Sequence, residues 1–167
     1  MAAKNCFIHD RPAASTDCQR AEDGFTLVEL ISVVAIIAIL AAISIPAYSI
    51  YIYKAQIART IAEIRMLEKE IAIYQTDEGH LPDSLANIGH GDLKDPWGNP
   101  YEYLSFVGLN GNGKKRKDRA VNPLNLDYDL YSMGRDGESK LPISLKESLD
   151  DILRANEGAF IDLAEKF

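Results

Sequence analysis

Glu29 stands at the head of an uncharged run of 24 residues, Leu30 to Tyr53. No other feature restricts the fold so tightly. As an α-helix the run spans about 36 Å, enough to cross a hydrocarbon core of about 30 Å. A charged side chain in that setting costs at least about 2.5 kcal/mol, so Glu29 is read as a functional residue. The plainer alternative is a carboxylate tolerated at an interface near a helix end.

The order of segments sharpens the reading. Met1 to Gly24 is polar and has no apolar stretch of its own. A secretory signal is cut after its apolar run, whereas the small residue here, Gly24, precedes the run. Cleavage between Gly24 and Phe25 removes a polar leader and keeps the apolar helix. It also frees an amino group on Phe25, four residues before Glu29 and on the same helix face. In a filament the Glu29 carboxylate can reach the amine of a neighbouring subunit instead, neutralising both charges in an apolar core.

Gly24-Phe25-Thr26-Leu27-Val28-Glu29-Leu30 resembles the processing signal of type IV prepilins and type II secretion pseudopilins. The resemblance implies cleavage after Gly24 by a prepilin peptidase, N-methylation of Phe25, and packing of the apolar helix in a filament core with Glu29 directing assembly. The leader departs from the short basic form usual in that family: Glu22 and Asp23 directly precede Gly24, and Arg20 is the nearby positive charge. The expected organisation is a leader at 1–24, a transmembrane and filament-core helix at 25–53, and a periplasmic pilin-like domain at 54–167. Lys54, Arg59, Arg65 and Lys69 follow the apolar run, so charge alone favours a cytoplasmic C-terminal side. The resemblance implies the opposite, a single-pass inner-membrane protein with its C-terminal domain in the periplasm.

The chain carries 18 basic and 25 acidic residues, a net charge of −7. Such a balance does not favour general nucleic-acid binding. Cys6 and Cys18 both fall in the leader, so the mature chain has neither disulfide nor thiol chemistry. In the resembling families, many major pilins close a C-terminal loop with a disulfide and pseudopilins generally do not.

Beyond Lys54 the pattern turns amphipathic. Ile57, Ile61, Ile64, Leu67, Ile71 and Tyr74 recur at spacings of three and four, predicting one apolar helix stripe as far as about Asp77. Gly79 and Pro82 supply the stop. Pro46 kinks or loosens the apolar half. A short helix is expected over 83–88, and strands over 101–107 and 126–133, joined by a long loop at 108–125. The fold class is α+β: one long helix, half membrane anchor and half spine, packed on a small antiparallel sheet. Trp97, the one tryptophan, is expected on the helix stripe.

Asp95-Pro96-Trp97-Gly98-Asn99-Pro100-Tyr101 and the block from Asp129 to Gly137 are similar to the major pseudopilin of type II secretion in particular. That resemblance implies a calcium ion, a hard cation that takes six to eight oxygens. Its ligands would be the carboxylates of Asp136, Asp150 and Asp151 and the carbonyls of Leu130 and Ser132, with Asp129 a weaker candidate. The plainer reading is solvated loop and cap aspartates. Asp127-x-Asp129-x-Tyr131 does not satisfy an EF-hand.

Gly108 to Lys115 nearly matches a phosphate-binding loop, but Lys115 replaces the required hydroxyl and no strand-to-helix setting surrounds it. The basic run Lys114-Lys115-Arg116-Lys117 is either a solvated loop tip or a contact for DNA phosphates. His9, His80 and His90 are isolated, and no catalytic constellation is present. The expectation is therefore a structural, non-enzymatic subunit of a type II secretion pseudopilus. Its partners would be other copies of itself, the prepilin peptidase, minor pseudopilins and an inner-membrane assembly platform. A type IV pilin for adhesion, motility or DNA uptake is the second reading.

Overall fold

Ile64, Leu67 and Ile71, three residues of the expected stripe, are fully buried on one face of a single helix, α1, Leu27–Glu78. The computed structural model describes residues 24–167. The expected leader, with both cysteines and His9, lies outside them apart from Gly24. By contacts the described chain divides into two units between Ile43 and Ser44. In the first, the apolar side chains of α1 are exposed. The helix is assigned without interruption across Pro46, and the Ser49 hydroxyl donates to the Pro46 carbonyl at 2.8 Å. It ends where Gly79 N–H bonds the Gln75 carbonyl.

In the second unit the stripe meets a four-stranded antiparallel meander, β1 (Tyr101–Ser105), β2 (Tyr128–Ser132), β3 (Ile152–Ala155) and β4 (Phe160–Leu163), in the order β1-β2-β3-β4. Strand alternation sorts the sheet into two faces. Tyr101, Tyr128, Leu130, Ile152, Ile161 and Leu163 join Ile64, Leu67 and Ile71 in the inner core, with Leu81 and Leu85 closing one end. Leu153 and Ala155 point the other way and pack with Leu124, Ile143 and Ala164 in a smaller outer core, flanked by Tyr131 and Phe160. Fully burying a Leu or Ile stabilises by about 1.5–3 kcal/mol. A single truncation such as Leu67→Ala therefore strains the whole spine-to-sheet contact.

The two strands expected at 101–107 and 126–133 are present in shortened form, and β3 and β4 are additional. The expected helix near 83–88 is a 3-10 turn, Leu85–Ile88. The β3–β4 connection runs through Asn156, Glu157 and Gly158 with φ of 52°, 55° and 90°. A Cβ at Gly158 would collide with the Glu68 carboxylate, so the turn closes directly on α1. Trp97 is half-buried against the inner core, its ring 6.2 Å from that of Tyr53.

Candidate functional site

The start of α1 is built by its own sequence. Thr26 and Glu29 form a reciprocal cap: the Thr26 N–H donates to Glu29 Oε2 at 2.8 Å, and Glu29 N–H donates to Thr26 Oγ1 at 3.2 Å. The Thr26 hydroxyl also donates to Glu29 Oε2, at 2.8 Å. The Thr-x-x-Glu spacing satisfies two otherwise orphaned helix donors, which matters most in an apolar medium. Gly24 is exposed just before the cap, and Phe25 is 90% exposed. The carboxylate that sequence reasoning singled out thus has a partner within its own chain, next to the residue that cleavage would make the first.

The block beginning at Asp95 acts as a clamp. Asp95 Oδ1 accepts from the backbone N–H of Trp97 (3.0 Å) and Asn99 (2.8 Å), while Oδ2 accepts from the Ser132 hydroxyl at 2.6 Å. The Asn99 side-chain amide then donates to the Gly134 carbonyl at 2.9 Å. The two blocks read from sequence as one resemblance are therefore physically tied, the turn before β1 to the end of β2.

The residues expected to hold calcium are engaged within the chain itself. The Leu130 side chain is buried in the inner core, and its backbone lies in the β1–β2 ladder opposite Tyr103. Asp136 is exposed, and its Oδ1 accepts from Glu138 N–H at 2.9 Å. Asp150 Oδ2 accepts from Arg135 N–H (2.9 Å) and Asp136 N–H (3.2 Å), holding the turn after β2. Asp151 is fully buried, and its Oδ2 meets Arg116 Nη2 at 2.5 Å and accepts from the Ser139 hydroxyl at 2.7 Å. Burial pushes the Asp151 carboxyl up to about 6, and the Arg116 guanidinium limits the rise. Among the described residues no three His, Cys, Asp or Glu side chains gather closely enough to hold a metal. Asp151 Oδ1 is buried without a partner, but the other oxygen is committed to a cation that the chain itself provides. With Arg116 in place Asp151 is already paired to a cation of the chain, and the expected aspartates do not gather around one point as a calcium ion requires.

The basic run is likewise not a simple loop tip. Arg116 is 3% exposed and turns inward, its guanidinium 4.2 Å from the centre of the Tyr131 ring, while Lys115 covers the Phe106 ring at 4.5 Å. The stretch Gly108 to Lys115 joins two antiparallel strands, not a strand to a helix. His90 Nε2 pairs with Glu70 at 2.5 Å.

A model of the prokaryotic N-terminal methylation motif matches residues 19–45. Type II secretion system core protein G of Pseudomonas aeruginosa is 28% identical over 72% of the chain and 88% of its own length. The protein of the same name from Aeromonas hydrophila is 30% identical over 72% of the chain and 88% of its own. The chain belongs to the type II secretion major pseudopilins. The wider pilin-like superfamily is represented too: a type IV major fimbrial protein FimA of Dichelobacter nodosus is 34% identical over 87% of the chain and 92% of its own length. No solved structure gives a significant match.

For a pseudopilin, the parts that sequence reasoning missed are ionic and buried. Arg154 in β3 is 4% exposed and holds Glu68 through Nε at 2.8 Å, both oxygens of Asp127 at 2.8 and 2.9 Å, and the Tyr128 ring at 4.1 Å, with longer bonds to Asn125 Oδ1 and the Tyr128 carbonyl. Its position between apolar neighbours in Ile152-Leu153-Arg154-Ala155 was the available signal. The Thr26–Glu29 cap was also legible, as Thr-x-x-Glu before an apolar run. Nothing in Lys114 to Lys117 marks Arg116 as the buried member.

Proposed function

We propose that this pseudopilin is a structural, non-catalytic subunit of a type II secretion pseudopilus, assembled from the inner membrane and driving export of folded proteins. The observation that carries this reading is the start of α1. An apolar helix face is exposed along the membrane-length segment, capped by Glu29 and immediately preceded by Gly24. A lone chain can satisfy that face only in lipid or against other copies. Processing after Gly24, methylation of Phe25 and placement of the C-terminal domain in the periplasm belong to the same proposal. So do contacts with the peptidase, minor pseudopilins and the assembly platform.

The test is direct. Mass spectrometry of membrane-extracted protein is expected to show a chain beginning at a methylated Phe25, and deletion of the gene is expected to abolish export of a type II cargo while leaving surface pili intact. Loss of pili with normal export supports the second reading, a type IV pilin, which the fimbrial relatives favour.

A further inference from the structure

Arg116 sits in the connection between β1 and β2, far in sequence from the loop it enters. Its Nη2 reaches Asp151 Oδ2 at 2.5 Å, and its Nη1 donates to the Ser139 hydroxyl. Ser139 in turn donates to the same Asp151 oxygen at 2.7 Å. The backbone N–H of Arg116 donates to Asp129 Oδ2 at 2.6 Å, and the flat face of the guanidinium lies on Tyr131. Lys117 continues the connection, its N–H bonding the Leu141 carbonyl and its carbonyl accepting from Ile143 N–H, both at 3.1 Å. One residue thus gathers β2, the β1–β2 connection and the 134–151 loop: its guanidinium pairs with buried Asp151, and its backbone N–H bonds buried Asp129.

We propose that Arg116 is a built-in cation that replaces a bound metal as the fastener of this loop, so that the pseudopilin domain holds its outer face together without calcium. A guanidinium suits this position because it is always charged and its planar fork can bond Asp151 and Ser139 at once. Removing it leaves a carboxylate buried and unpaired, which is far more damaging than losing a surface charge. This role rests on the ion pair and not on the filament reading; a chain that never assembled would give the same answer.

The experiment compares thermal unfolding of the full chain in detergent, in millimolar calcium and in excess chelator. The wild type is expected to melt at the same temperature in both. Arg116→Ala is expected to melt about 10 °C lower, as for a broken buried pair in a domain of this size. Arg116→Lys is expected to recover only part of the loss. The double variant Arg116→Ala/Asp151→Asn is expected to melt above Arg116→Ala, because it removes the stranded charge. An Arg116→Ala chain that gains stability from calcium when the wild type does not supports a cation-for-cation exchange. A wild type that melts several degrees higher in calcium than in chelator overturns the proposal, as does an Arg116→Ala that melts no lower than the surface control Lys114→Ala. If Arg116→Ala does not accumulate folded, the wild-type calcium comparison and Arg116→Lys decide the matter.

Discussion

Arg154 in β3 donates from Nε to Glu68 in α1 at 2.8 Å, joining residues that are 86 positions apart. The same guanidinium holds Asp127, so spine, sheet and the entry to β2 meet at one side chain. Arg154→Ala strands two carboxylates and removes the cover of Tyr128. Glu68 and Asp127 are 26% and 35% exposed and regain hydration, so the variant is expected to destabilise the folded chain by about 2 kcal/mol, read as a lowered midpoint in urea. Arg154→Lys retains the charge without the fork and is expected to restore less than half of that loss.

Processing depends on the small residue before the cap. Gly24→Leu is expected to leave full-length, unassembled protein in the membrane, since the peptidase would meet a bulky side chain at the scissile position. Immunoblotting of membrane fractions checks this, and mature-length product from the variant counts against cleavage after Gly24.

Glu29 does two separable things, capping α1 through Thr26 and, in the proposed filament, meeting an amine. Glu29→Gln keeps an oxygen that can accept from Thr26 N–H but loses the charge. It is expected to insert and be processed yet give no filaments in a cell lacking the wild-type subunit. Normal filament yield from Glu29→Gln would reduce Glu29 to a cap alone.

Gly134 has φ of 64° and lies against Asp150, where an added Cβ would collide with the Asp150 backbone carbonyl and come within 2.7 Å of its carboxylate Oδ2. Gly134→Ala is therefore expected to cost about 1–3 kcal/mol through strain and displacement of Asp150. The hydrogen exchange of the Arg135 and Asp136 amides, which donate to Asp150, is expected to accelerate with it.

Alkali should unfold the domain through its inner-core phenols. Burial raises the phenols of Tyr101, Tyr103 and Tyr128, that of Tyr103 to about 12. The unfolded chain loses these protons near pH 10 while the folded chain retains them, so the unfolded state binds fewer protons above that point and stability falls as pH rises. The Tyr103 contribution is intact below pH 10 and is lost from pH 10 to about 12, at most about 1.4 kcal/mol per pH unit; Tyr101 and Tyr128, raised further by burial, keep lowering stability beyond that range. Phenolate absorbance is expected to appear together with unfolding, and Tyr101→Phe to flatten the slope.

Much of this architecture was written in periodicity. The stripe from Ile57 to Ile71, the stop at Gly79 and the first two strands follow from spacing that burial enforces. β3 and β4 did not show, because each is four residues long, too short for alternation to rise above noise, and β3 carries a charge at an inward position. That charge is tolerated only because Glu68 and Asp127 lie close by, a fact of tertiary structure. Arg116 was hidden for the same reason. A residue type in a basic run gives no sign of which member will find a buried carboxylate 35 positions further on.

The inner core has a schedule built into it. Ile161 and Leu163 fill the same core as Ile64 and Leu67, so the ribosome must make nearly the whole domain before the spine can be covered. α1 is synthesised first and waits with its stripe bare. During that interval the nascent chain is a sticky intermediate tethered at one end, and its safe maturation depends on how quickly the last hairpin arrives rather than on the final stability of the domain.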